Sequence, residues 1–543
     1  MRSLLLIIAS SIFYVALTWI TGIYYGWVDD VWLDLSFQGK IIVEEAYSPV
    51  VLITGFGDLI KSSPLTLSSL YVGVVIFVFY LTFEVVERHF QDLPVISKAL
   101  LMSLIIIGLI WPILIAPTFT ELSILSGGLG LVYFNQVLSA ETSISIKDFC
   151  LFGLAILIAI SFRFTSLVLL LPFIGILLAN HGRGSHRKKV TGAAIFLAVL
   201  GMVSFLYQET TLPLGLQQKQ VKLRTVLDTD IGMRLNGESR KEFAKDLALY
   251  CWFLGDTSVW TTSRLDSKIS NMSYTTKEKW ESIYQKAAHR YPKEYHPESN
   301  WLNSFLVLLS LSLLLIFRSF FLGYRSIEPL ILFITILVIL AITGTKYKLE
   351  GRAVIPLITV LLLYLITLSK DTIPAVWKAS LLHISLWCIP LGAYSMTQQY
   401  HIGQHYSEEV ADKKAYVHHL DTAYKHKSMV VDLFAMTLFH GSLTEGLNVP
   451  KNVKLKSYPE LWGVIKALEE EEELPPPSDY FSSAAQHKAY YLGPQFRVDM
   501  LEGLLNEVYN TPISFEKIED CPIEYSFTWD PLNLGVYQIN LKQ

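Results

Sequence analysis

Long apolar runs recur along this chain, and they limit what it can fold into more than any other feature. Examples are "LLLIIASSIFYVALTWI" (4–20), "SLIIIGLIWPILIA" (103–116) and "LILFITILVILAI" (330–342). One such run can sit in the core of a soluble domain, but this many cannot share one core. Crossing a hydrocarbon layer of about 30 Å takes roughly 20 apolar helical residues. Mean hydropathy is +0.40 and 17% of the 543 residues are charged, where soluble domains carry about 25%. The expected fold is an all-α polytopic membrane protein.

Eleven spans are expected, at 3–24, 66–86, 99–115, 119–134, 148–162, 165–180, 190–207, 301–317, 328–343, 353–369 and 378–395. Short connections at 87–98, 181–189, 318–325 and 370–378 carry an excess of Lys and Arg, which marks the cytoplasmic side. Arg2 agrees, so the amino terminus is expected inside. The first run resembles a signal peptide, but its apolar part exceeds the usual ~7–15 residues and no small-x-small cleavage site follows. It reads as an uncleaved span. The expected units are a transmembrane module at 1–207, an external helical insertion at 208–300, transmembrane helices at 301–395 and an external soluble α+β domain at 396–543. The expected location is a bacterial plasma (inner) membrane, with the large segments periplasmic.

In the insertion, Phe243, Leu247, Tyr250 and Leu254 recur every three or four residues, giving one apolar helical face. In the tail, a helical stretch ends in "EEEEE" (469–473), read as a solvated helix end. "PPP" (475–477) then makes a stiff break, and "YSFTWDPLNLGVYQINL" (525–541) reads as two strands around a turn. Net charge is −4, so no basic field invites nucleic acid. The four cysteines have no metal-type spacing. Cys150 and Cys388 read as small buried hydrophobes. Cys251 and Cys521 fall in soluble segments, which allows one bridge between them.

The remaining charge gathers at the external ends of the spans. The first external loop carries Asp29, Asp30 and Asp34, and the second, "IAPTFTELS", carries Glu121. Arg163 stands between two apolar helices, and "TGTKYKLEGRAV" holds Lys346, Tyr347, Lys348 and Arg352. A phosphate at the membrane interface needs fixed cations just outside the hydrocarbon, arginine in a two-pronged geometry and lysine as a point charge. An incoming hydroxyl needs a carboxylate to take its proton. The plainer alternative is that these charges anchor and snorkel at helix ends. For Glu121 it is a helix cap, since "TFTE" has the capping-box spacing.

These stretches resemble the GT-C superfamily of membrane glycosyltransferases, which use polyprenyl-phosphate-linked sugar donors. "YGWVDDVW" resembles the acidic motif of that superfamily's first external loop. "APTFTELS" resembles its second external loop. The arginine of "LAILIAISFRFTSLVLLLPF" (154–173) resembles one recurring between its fifth and sixth spans, and "KYKLEGRAVIPLITVLLLYL" resembles its late basic stretch. The likeness covers roughly residues 1–370. It implies inverting transfer to a lipid, glycan or protein acceptor, sometimes with a divalent metal. Asp30 or Asp29 would be the base and Glu121 the second acid, with Arg163, Lys346, Lys348 and Arg352 holding donor phosphate and Tyr347 beside them. The first motif here is Asp-Asp where the family pattern has Asp-Glu, which leaves metal use and retained catalysis open. Other readings are an O-antigen-type polymerase or ligase, a transporter or flippase, and a non-catalytic scaffold built on the tail.

Overall fold

The computed structural model describes residues 2–24, 67–91, 93–139, 145–163, 166–181, 192, 312, 316, 328–346, 351–367, 375–432, 434–439, 441–443, 446–456, 477–507, 509–523 and 534–542. It is mostly helical with a small carboxy-terminal sheet. The helices are α1 (Arg2–Thr21), α2 (Leu67–His89), α3 (Val95–Leu114), α4 (Phe119–Ser139), α5 (Ile146–Arg163) and α6 (Ser166–His181). They continue as α7 (Glu328–Lys346), α8 (Gly351–Thr367) and α9 (Ala375–Ala423). Helices therefore occupy nine of the eleven expected span positions. The other two, 190–207 and 301–317, lie almost wholly outside the described residues, as does the 208–300 insertion. Among the described residues α1, α2, Val95–Leu114 and α4 are long and apolar enough to cross a membrane.

Helix α4 forms the centre, packed against α2, α5, α6 and α8. Its "SGGLG" segment explains why. A Cβ on Gly130 would come within 2.5 Å of the Ala155 Cβ on α5, and one on Gly128 within 2.5 Å of Val360 on α8. Small residues let helix backbones approach where lipid supplies no hydrophobic drive, so dispersion does the holding. Phe134 stacks on Phe152 at 4.3 Å in the same seam. Helix α1, by contrast, is peripheral and leaves Trp19 85% exposed. Cys150, expected buried, is exposed on the outer face of α5, the face an apolar bundle turns to lipid.

Helix α3 contains a π turn at Ile106–Ile110. Such a turn leaves backbone carbonyls without their ordinary partners. Within this turn, Ile107 O accepts a 2.9 Å hydrogen bond from Gln399 Nε2, a buried side chain on α9. Helix α9 runs without a break through residue 395, where the sequence suggests that the soluble domain starts. Its 49 residues extend about 74 Å at 1.5 Å each.

Beyond α9 come β1 (Ser428–Val431), a 3-10 turn at Phe434–Phe439, β2 (Lys454–Lys456), α10 (Pro477–Gln486), β3 (Tyr490–Pro494), α11 (Gln495–Glu507), β4 (Ile513–Asp520) and β5 (Leu534–Leu541). The sheet order is β2-β1-β3-β5-β4. Strand β1 runs parallel to both neighbours, with Val430 opposite Tyr491, whereas β3, β5 and β4 are antiparallel. The sheet is thus mixed, parallel at the β2-β1-β3 side and antiparallel at the β3-β5-β4 side. Strand β5 falls in the expected 525–541 segment, but it pairs with β3 and β4; residues 524–533 lie outside the described residues. Pro477 opens α10, a position where proline's missing N–H costs nothing. The "EEEEE" run lies outside the described residues.

Candidate functional site

The candidate site is built at the end of the bundle where α1 stops. Gly22, at φ 73°, takes the left-handed conformation that closes a helix, and its N–H caps Thr18 O at 2.8 Å. The chain then turns sideways. Tyr24 N donates to Ile115 O at 2.9 Å, and Ile23 O accepts from Leu443 N at 2.9 Å. The Tyr24 ring stacks on Tyr406 at 5.1 Å, and its hydroxyl donates to Gly403 O at 3.0 Å. Gly403 is required by this approach, because a Cβ there would lie 1.9 Å from Thr21 O. Trp111 Nε1 donates to Thr21 Oγ1 at 3.1 Å and closes the corner. The root of the loop after α1, the turn after α3, the long helix and the carboxy-terminal domain meet here.

Glu121 belongs to this end. Thr118 N donates to Glu121 Oε2 at 2.8 Å, and Glu121 N donates to Thr118 Oγ1 at 3.3 Å. This is the reciprocal capping box its spacing suggested. The carboxylate thus satisfies a helix end, whatever else it does. Arg163 is the last residue of α5. Ser123 Oγ donates to Ala159 O at 2.6 Å and Gly130 faces Ala155, so α4 and α5 are antiparallel and Arg163 comes level with the first turn of α4. Gly128 faces Val360, and Phe173 of α6 meets Tyr364 at 5.9 Å. This register runs α8 parallel to α4 and puts Arg352, its second residue, at the same end. Lys346 closes α7, with four residues between it and the start of α8. Asp29, Asp30, Asp34, Tyr347 and Lys348 lie outside the described residues.

The opposite end holds an ion network that sequence reasoning did not assemble. Glu84, 1% exposed, accepts from Lys147 Nζ at 2.7 Å and Tyr80 OH at 2.8 Å. Arg88 Nη2 reaches Asp148 Oδ1 at 2.5 Å, and Tyr133 donates to the same oxygen. Lys147 also donates to Ser3 Oγ at 2.7 Å. Two acids and two bases from α2 and α5 thus neutralise each other in one cluster. Burying ions this deeply is tolerable only when every charge is both paired and hydrogen-bonded. The available signal was Glu84 in an otherwise uncharged span and "IKD" opening the next helix.

The carboxy-terminal domain offers two more polar features. Asp432, just past β1, is wholly buried with Arg497 Nε at 3.0 Å and Tyr491 OH at 2.7 Å. A groove of about 870 Å³ opens between α9 and the segment after β4. Across it, Glu519 accepts from Tyr416 OH at 3.2 Å and meets His419 Nε2 at 3.1 Å. Burial raises the Tyr416 phenol above its ordinary value and pushes the Cys521 thiol up to about 11. Cys521 is a free thiol; Cys251 lies outside the described residues. Among the described residues no three His, Cys, Asp or Glu side chains gather as a metal site. The expected divalent-metal question concerns Asp29 and Asp30, which are not among them.

No protein-family model matches this chain, and no curated protein matches it.

Proposed function

We propose that this protein is a membrane glycosyltransferase of the GT-C type. It moves a sugar from a polyprenyl-phosphate-linked donor to a lipid, glycan or protein acceptor at the external face of a bacterial inner membrane with eleven spans. The observation that carries the reading is the Tyr24–Ile115 hydrogen bond. It starts the loop bearing Asp29 and Asp30 beside the turn bearing Glu121, at the bundle end where Arg163 and Arg352 sit on their helices. Carboxylate and cation from distant parts of the chain are what phosphate departure and hydroxyl attack require. In this scheme Asp30, with Asp29 beside it, takes the acceptor proton. Arg163, Lys346, Lys348 and Arg352 stabilise the departing polyprenyl phosphate, with Tyr347 against the donor. If a divalent metal takes part, Asp29 and Asp30 are its carboxylates, and it would screen charge on the leaving phosphate.

The test is lipid-linked and surface glycan profiling of a deletion strain complemented with Asp29→Asn or Asp30→Asn. Loss of one glycan product in at least one variant, with normal membrane insertion, supports the reading. Full activity in both variants ends it. Addition of single sugars rather than extended chains separates this activity from that of an O-antigen-type polymerase.

A further inference from the structure

Tyr14, Ser166 and Thr359 each bury a hydroxyl that meets no hydrogen-bond partner. Such a group costs stability unless something answers it, so each asks for a reason. Tyr14 and Thr359 stand mid-helix. Ser166 opens α6 and has no helical carbonyl one turn behind it, unlike Ser126, which donates to Leu122 O at 2.6 Å. The register shows what lies at that end. Gly127 of α4 faces Leu170, and Asn135 meets His181 at 3.1 Å, so α4 and α6 run parallel with Ser166 level with Ser123. Helix α8 is parallel to both, its Val360 facing Gly128. Helix α6 therefore starts one turn, about 6 Å, below the first residues of α4 and α8. Each helix start carries partial positive charge from its unbonded N–H groups. Glu121 answers that charge on α4, but the first turns of α6 and α8 hold no acid. Arg163, which ends α5, and Arg352 of α8 add cations at the same end.

We propose that the recess at the start of α6 binds a phosphate group, through the Ser166 hydroxyl and the first N–H groups of α6. Backbone N–H groups at a helix start suit phosphate oxygens, and a hydroxyl donor bonds more strongly when its acceptor is charged. The anion is then the partner that the buried Ser166 hydroxyl lacks within the fold. A lipid headgroup and free phosphate share this chemistry. On the transferase reading the group is the leaving phosphate of the polyprenyl donor. The inference rests on that reading for the word donor, but the binding itself does not require catalysis.

The experiment uses the full chain in dodecyl maltoside, a detergent without phosphate, and reads affinity from the rise in unfolding temperature as ligand is added. The probes are a polyprenyl monophosphate, the matching polyprenol and inorganic phosphate. The monophosphate should raise the unfolding temperature and the polyprenol should not. Inorganic phosphate should bind at least about tenfold more weakly than the monophosphate; equal affinity overturns the lipid source and assigns the site to free phosphate. Without ligand, Ser166→Ala should unfold no earlier than the unchanged chain, because the hydroxyl it loses is unpaired. With ligand, it should bind the monophosphate at least about tenfold more weakly, the worth of one hydrogen bond to a charged group. A serine with a purely structural role would do the reverse. Thr359→Val removes a mid-helix hydroxyl and should leave binding unchanged. Undiminished binding by Ser166→Ala, equal weakening by Thr359→Val, or equal binding of the polyprenol overturns the site. Asp29→Asn and Asp30→Asn should both bind the monophosphate normally. If both also leave cellular glycans intact, the transferase reading fails while the phosphate site stands. If either abolishes a glycan while Ser166→Ala binds undiminished, the site fails and the reading stands.

Discussion

The hydroxyl of Tyr24 donates to the carbonyl of Gly403 at 3.0 Å, joining residues 379 positions apart in the sequence. Through that contact the first helix and the long helix α9 share one corner. Gly403→Ala puts a methyl group 1.9 Å from Thr21 O, and backbone cannot give way there as a flexible side chain would. The expected cost is about 1–3 kcal/mol, seen as a lower unfolding temperature in detergent and faster amide exchange over 399–424. Gly175→Ala, which meets nothing within 4 Å, should leave both unchanged. Tyr24→Phe should cost about 0.5–1.5 kcal/mol, the worth of one hydrogen bond.

Glu121 has two candidate roles that one pair of substitutions separates. The cap needs an acceptor oxygen, which glutamine keeps; acid or base chemistry needs a carboxylate. Glu121→Gln should therefore retain stability within about 0.5 kcal/mol, while Glu121→Ala loses about 0.5–2 kcal/mol. If Glu121→Gln also abolishes glycan transfer in cells, the residue acts in the reaction. Full transfer by that variant confines it to the cap.

In the ion network, position should decide cost. Glu84 is 1% exposed and serves Lys147, Arg88 and Tyr80 together, whereas the Lys147 side chain is 42% exposed. Glu84→Gln removes the buried carboxylate that Lys147, Arg88 and Tyr80 share and should cost about 1–3 kcal/mol. Lys147→Gln should cost clearly less, because Glu84 keeps Arg88 and the lysine site already touches solvent. Thermal unfolding of the two variants side by side tests the order; a larger loss for Lys147→Gln contradicts it.

Alkaline stability should report on the wall below the groove. Burial raises the Cys521 thiol from 9.0 to about 11, and the Tyr416 phenol also upward. A group whose acid form is favoured by folding adds stability below its unfolded value and loses it as pH climbs to the folded one. For Cys521 that window is pH 9 to 11. Denaturant midpoints should fall across it, and less steeply in Cys521→Ala. Iodoacetamide should modify Cys521 slowly at pH 8 until the chain unfolds, since the thiolate is the reactive form.

Acid sensitivity should appear at the turn between α9 and β1's partner strand. Asp421 accepts from the backbone N–H of Asn452 at 2.5 Å, and this bond holds its carboxyl below the usual aspartate range. Stability from this group is present above the ordinary carboxylate range and disappears as pH falls through the lowered value. Asp421→Asn should flatten the acid limb of the unfolding profile, monitored by circular dichroism.

The sequence by itself determined that helices stand at nine of the eleven expected positions, because each apolar run satisfies its own backbone and needs no knowledge of its neighbours. It also announced the Thr118–Glu121 cap, a bond closed within four residues, and a strand in the second half of 525–541, where β5 stands. Tertiary structure alone decided that α4 lies at the centre, since Gly128 and Gly130 matter only once Val360 and Ala155 approach them. It likewise chose Lys147 for Glu84, Gln399 for the carbonyl of Ile107, and β1 as the parallel neighbour of β3. Local pattern records what a segment needs from solvent or lipid. Which distant group answers that need depends on the close packing of the whole chain.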